Sequence, residues 1–101
     1  MEGKKLMDQN ALKPMRDLFS IFSDFTRLRI IDALNESPKC VSELGAALHL
    51  EQSNVSHQLK VLRDHHVVQA KREGKKVYYA LQDSHVKLIY EMAKAHVCEC
   101  D

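Results

Sequence analysis

Apolar positions fall at helical spacing along most of the chain. Leu12, Met15, Phe19 and Phe22 recur at i, i+3, i+7 and i+10, which is one face of a helix. Pro14 lies near the start of that helix, where a missing N–H is tolerated, and residues 1–9 before it are polar and expected to fray. Asp24 is placed to cap a second helix whose buried stripe is Leu28, Ile31 and Leu34. The stretch 35–38 reads as a loop. A short third helix, from about Val41 to Leu48, would bury Val41, Leu44 and Leu48. Val55, Leu59 and Leu62 then predict a fourth helix over about 51–65, with Ser53, Ser56, His57 and Lys60 off its apolar stripe.

Beyond residue 66 the period changes. Val67–Arg72 and Lys75–Leu81 are rich in Val and Tyr, with Glu73 and Gly74 between them, which is a β-hairpin signal. A last helix over about 84–97 follows, with Asp83 or Ser84 able to cap it. The expected fold is mainly α with a small β-hairpin. It is a winged helix-turn-helix of five helices, with an antiparallel wing over about 67–81 between helices 4 and 5. No linker, repeat or low-complexity segment divides the 101 residues, so 1–101 is expected to form a single domain for DNA binding and dimerisation. A chain this short buries a modest fraction of its surface and gains from a partner subunit.

Composition is ordinary for a soluble domain, with 45% apolar and 29% charged residues. No apolar run approaches the roughly 18 residues that span a bilayer, and no secretion signal opens the chain. The three cysteines suggest no disulfide framework, so a cytoplasmic, reduced protein is expected. The net charge of +1 excludes a general polyanion binder, but the charge is unevenly placed. Residues 51–81 carry six basic side chains against three acidic ones, whereas 82–101 carry two against four. One region suits phosphates and the other suits a cation.

Two short helices joined by a tight turn and followed by a basic hairpin suit duplex DNA. The second helix can enter the major groove, whose width admits it. Its Gln52, Ser53, Asn54, Ser56, His57 and Lys60 offer groups that hydrogen-bond base edges or phosphates. Lys71, Arg72, Lys75 and Lys76 of the hairpin can grip the backbone beside the groove.

Asp83, His85, His96 and Glu99 are nitrogen and oxygen ligands of the kind zinc accepts. They cannot converge within one chain. His85 and His96 are eleven residues apart, about 16 Å along a helix, yet return to within roughly 20° of the same face. Leu88, Ile89 and Met92 lie between them on that stripe. An apolar seam with ligands at each end suggests two such helices packed antiparallel about a two-fold axis. Asp83 and His85 of one subunit would then meet His96 and Glu99 of the other, giving two equivalent sites per homodimer. Leu12, Met15 and Phe19 of the first helix would complete the interface.

The chain resembles the ArsR/SmtB family of metal-sensing bacterial repressors. The likeness rests on residues 25–31 (FTRLRII), 55–62 (VSHQLKVL) and 74–79 (GKKVYY), and on 81–85 (LQDSH) with 96–99 (HVCE) in the tail. It implies a dimeric repressor that occupies operator DNA when apo and leaves it on binding zinc, with cadmium or cobalt able to take its place. It also implies control of genes for metal efflux or sequestration, with no small organic substrate, no membrane and no enzymatic activity. Relatives that sense soft metals at the third helix carry a Cys-x-Cys pair there. This chain has Cys40-Val41-Ser42, so that site should be absent or crippled. Glu51 stands where many relatives cap the reading helix with serine, and it retains an oxygen able to accept a backbone bond. Cys98 and Cys100 flank Glu99. They add either idle thiols, extra ligands for a softer metal, or a thiol-redox switch in a repressor of the same fold.

Overall fold

The structure, a computed structural model, describes residues 5–99. Asp8 opens helix α1 (Gln9–Ser23), its carbonyl accepting from the Ala11 and Leu12 amides. Pro14 is therefore the sixth residue of the helix rather than part of its first turn. It leaves the Asn10 carbonyl without its i+4 donor. Only Ile21 of α1 is buried. Leu12, Met15 and Phe19 stay 40–58% exposed, so the apolar face read from the sequence exists but meets nothing within its own chain.

Asp24 ends α1 and begins α2 (Phe25–Glu36), its Oδ2 accepting from the Arg27 amide at 3.0 Å. Ile30, Ile31 and Leu34 are buried, and Leu28 is only half-buried. Helices α3 (Val41–Leu48) and α4 (Gln52–Asp64) form the helix-turn-helix. Leu44 is buried, while Val41 and Leu48 flank the core half-exposed. The turn between the two helices is closed by His49 in the left-handed region (φ 57°) and by the Leu50 amide donating to the Gly45 carbonyl at 3.0 Å. Gly45 permits this approach, because a Cβ there would lie 2.9 Å from the Leu50 carbonyl oxygen. Arg29 donates to the Leu48 carbonyl at 2.7 Å, satisfying an acceptor that the helix end leaves open.

Val55, Leu59 and Leu62 of α4 pack into the core with Ile30, Ile31 and Leu44. Alpha-helical structure stops at His66, whose φ of 59° is the left-handed turn that glycine usually supplies. The Val67 amide donates back to the Leu62 carbonyl at 2.9 Å, completing a Schellman-type stop. The hairpin consists of β1 (Val68–Glu73) and β2 (Lys76–Leu81), antiparallel, with Glu73 paired to Lys76. Its two loop residues are thus Gly74 and Lys75, one position later than the sequence pattern placed them. The cause is local: Gly74 takes φ +64° at the first loop position, as a tight hairpin turn requires. A single β-bridge joins Tyr79 to Lys39 in the α2–α3 connection. The chain ends its described portion with α5 (Ser84–Cys98), which rests on α2 through buried Val86 and half-buried Tyr90. No helix among the described residues is long and apolar enough to cross a membrane.

Candidate DNA interface and metal centre

Helix α4 presents one apolar face inward and one polar face outward. Gln52, Ser53, Asn54, Ser56, His57 and Lys60 are all exposed. Glu51 occupies the N-cap, but its side chain makes no capping bond, so the first amides of α4 keep open donors. Such donors suit a phosphate. Lys60 is held lightly by Asp64 at 3.3 Å, an exposed i,i+4 pair of the kind worth little in water.

The wing is two-faced. Lys71 and Arg72 are neighbours on β1 and so point to opposite sides of the hairpin. Arg72 shares a face with Ala70 and with Tyr79, which packs on the core, while Lys71 and Lys76 share the other face. With Lys75 in the loop, cationic groups surround the tip of the wing on every side, and all four are exposed. A phosphate backbone passing either face of the tip would meet positive charge.

One contact supporting the reading helix has no counterpart in the sequence pattern. Arg27 Nη1 donates to Gln58 Oε1 at 3.1 Å, and Gln58 Nε2 in turn approaches Asn54 Oδ1 at 3.4 Å. The two ends of the first contact are 31 residues apart, so no local period announces it.

Helix α5 carries the metal candidates. Asp83 is its N-cap, with Oδ1 accepting from the amides of His85 at 2.9 Å and Val86 at 3.2 Å. The bond from Val86 and then that from His85 hold its carboxyl below the usual carboxylate range, against a smaller opposing effect of burial. The carboxylate is thus ionised and ready for a cation. His85 Nδ1 lies 3.6 Å from the same oxygen. His96 is in the last turn of α5 and Glu99 is its C-cap. All four side chains are exposed. The structure brings Asp83 and His85 together and leaves His96 and Glu99 at the far end of the helix. Among the described residues, no three His, Cys, Asp or Glu side chains of one chain gather as metal ligands would.

Between the two ends, Leu88 and Met92 are 59% and 71% exposed. Cys98 is exposed at the last residue of α5, and Cys100 lies outside the described residues. Cys40 is different in kind. It is buried, its Sγ sits 3.2 Å from Ser42 Oγ, and its amide donates to Glu43 at 3.0 Å. That bond, first among several effects, holds the Glu43 carboxyl low.

Helix α5 is fastened to α2 by polar contacts that the pattern did not reveal. Tyr90 hydrogen-bonds Asp32, and burial followed by that bond pushes its phenol up to about 12. Asn35 donates to Glu91 at 2.6 Å and accepts from Lys87 at 2.9 Å.

Residues 24–70 match the family described as bacterial regulatory protein, arsR family. The chain is 38% identical over 97 residues to the transcriptional repressor SmtB homolog of Synechocystis, covering 96% of this chain and 74% of that one. It is 34% identical over 94 residues to the cadmium resistance transcriptional regulatory protein CadC homolog of Staphylococcus aureus, covering 92% and 77%. Among solved structures it superposes on apo-NmtR with a TM-score of 0.79 at 32% identity, covering 95% of this chain and 81% of that one. A reading helix, a cationic wing and these likenesses over nearly the whole sequence lead to one assignment. The chain belongs to the ArsR/SmtB family of metal-responsive bacterial transcriptional repressors, DNA-binding winged-helix proteins and not enzymes.

Proposed function

We propose that this chain acts in the cytoplasm as a single-domain repressor that holds operator DNA as a metal-free homodimer and releases it when zinc binds. Cadmium or cobalt can take the place of zinc. Each metal would be held by Asp83 and His85 of one subunit with His96 and Glu99 of the other. The genes so released would serve metal efflux or sequestration.

One observation carries this reading. Two pairs of nitrogen and oxygen ligands stand at opposite ends of one exposed helix, separated by apolar side chains that have nothing to pack on. The donor set fits zinc, which takes imidazole and carboxylate in four-coordinate sites. It does not fit a site within one chain, since about 16 Å of helix separates the pairs. Antiparallel pairing of two copies along α1 and α5 buries Leu12, Met15, Phe19, Leu88 and Met92 and brings unlike ends together. A closed set of four ligands is the pattern of a structural or sensing site rather than of one that activates water. The names of the relatives, a repressor of SmtB type and a cadmium-resistance regulator, agree in kind.

Reading helices sit on opposite subunits, so their spacing depends on how the subunits are set at that seam. Ligands drawn together across the seam favour one setting, and a metal that binds it better shifts the population toward it. The test is fluorescence anisotropy on an operator duplex, apo and with one zinc per subunit, for wild type and His96→Ala. Zinc should weaken wild-type binding by about tenfold or more, the usual scale of such coupling, and leave His96→Ala unchanged. An unchanged wild type refutes the sensor. Full zinc response in a Cys98→Ser, Cys100→Ser double variant excludes thiol oxidation as the signal.

A further inference from the structure

Beside the seam lies a groove that the seam itself does not fill. It encloses about 550 Å³ between α2 and α5, with Phe25, Leu28, Ala93 and Val97 on its walls, Phe22 at one end and Cys98 on its rim. Phe25 and Val97 are left 75% and 66% exposed. At the far end of the molecule, two further apolar side chains precede α1 with no core to join. Leu6 is 94% exposed and Met7 is 48% exposed.

The two features cannot meet within one chain. Helix α1 has 15 residues and is therefore about 22 Å long. Phe22, at the groove, is near its C-terminal end, while Leu6 lies before its first residue. A two-fold axis changes this. When α1 of one subunit runs antiparallel to α1 of another, the start of the second lies beside the end of the first, where the groove opens. The apolar surface is continuous along that path, from Met15 and Phe19 to Phe25 and Val97. Residues 5–8 in extended form reach about 13 Å, enough to cross a groove of this size.

We infer that the segment Lys5–Asp8 of a second copy of this chain occupies the α2–α5 groove, with Leu6 and Met7 as its anchors. Each subunit then clasps the other twice, once along the seam and once through this arm. The arm would reach Cys98, one residue before Glu99, so the clasp bears on the end of α5 that carries His96 and Glu99. The inference rests on the two-fold pairing of α1 and α5 proposed above, and its test separates the two ideas.

The test uses the full chain with Cys40 and Cys100 replaced by Ser, leaving Cys98 as the sole native thiol. Leu6→Cys and Met7→Cys are added in separate proteins, which are oxidised with diamide at low concentration and digested. Sedimentation velocity of the same unoxidised proteins reports the oligomer. The expected result is a dimer in solution and, in at least one variant, a covalent dimer whose linked peptide joins position 6 or 7 to Cys98. Without oxidation, Leu6→Asp should raise the dimer dissociation constant by about tenfold or more, as expected for loss of a buried leucine. A dimer with no such link in either variant, and with Leu6→Asp neutral, overturns the arm and leaves the seam standing. A monomer overturns the pairing itself. A lipophilic compound found by native mass spectrometry in the groove of an unlinked dimer would also overturn the arm, since it would show a different occupant.

Discussion

Arg27 Nη1 and Gln58 Oε1 stand 3.1 Å apart, joining the first turn of α2 to the middle of the reading helix. Gln58 also touches Asn54, a residue offered to the bases, so Arg27 orients the DNA-facing surface from behind. Hydrogen bonds to a charged donor contribute about 1.5–3 kcal/mol, and this one is part-buried. Arg27→Ala should therefore lower unfolding free energy by about 1–3 kcal/mol in urea titrations and weaken operator binding several-fold. A double-mutant cycle with Gln58→Ala should return a coupling near 1 kcal/mol, and a coupling near zero would show the pair to be incidental.

Asp83 has two roles that one substitution separates. As N-cap it accepts amide bonds, which asparagine also does, but as a candidate metal ligand it needs charge. Asp83→Asn should keep the thermal midpoint near that of wild type at neutral pH while lowering zinc affinity about tenfold or more, measured by competition with a chelator. Asp83→Ala should lower both. Because the carboxyl is held below its ordinary value of 3.8, its stabilising effect is complete above that pH. The effect is lost as pH falls through the lower folded value. The difference in midpoint between wild type and Asp83→Ala should accordingly shrink in acid.

The wing cations act on phosphates and not on the fold. Replacing Lys71, Arg72, Lys75 or Lys76 by Ala should leave the thermal midpoint nearly unchanged, since all four are exposed. Each replacement that removes a phosphate contact should reduce the slope of log K against log salt by about 0.9. A residue whose loss alters affinity without altering the slope is reading something other than backbone charge.

Gly45 sets the closeness of the helix-turn-helix corner. Alanine there would gain about 1 kcal/mol in helix propensity. It would also place a Cβ 2.9 Å from a backbone oxygen that cannot swing aside, and such overpacking costs about 1–3 kcal/mol. The cost prevails, so Gly45→Ala should lower the urea midpoint. Operator affinity should fall further than stability alone explains, because relief requires α3 and α4 to change their angle.

Much of the architecture was legible because it is periodic or local. The stripes through Ile31 and Leu34 and through Val55, Leu59 and Leu62, and the caps at Asp24 and Asp83, all follow from neighbours in the chain. Errors arose where one residue type usually marks a feature and another performs it here. His66 ends α4 in a left-handed turn without glycine, and Glu51 holds an N-cap without bonding there. Pro14 sits deeper in α1 than its tolerance suggests, because Asp8 starts that helix early. Contacts between distant segments, such as Arg27 with Gln58 or Asn35 with Glu91, have no period and were invisible. The metal candidates were legible only as a spacing. That spacing makes sense between chains, and a single chain leaves its two halves apart.

The bridge between Lys39 and Tyr79 has a mechanical consequence. Each residue donates its amide to the carbonyl of the other, at 3.0 and 2.8 Å, so the outer edge of β2 is stitched to the body of the domain. A hairpin free at that edge would bend to suit whatever duplex it met. This one is a rigid lever rooted beside the end of α2. Any misfit between its tip and the backbone must be absorbed by the DNA, and operators that bend readily at the flanks should be favoured even where no side chain touches a base.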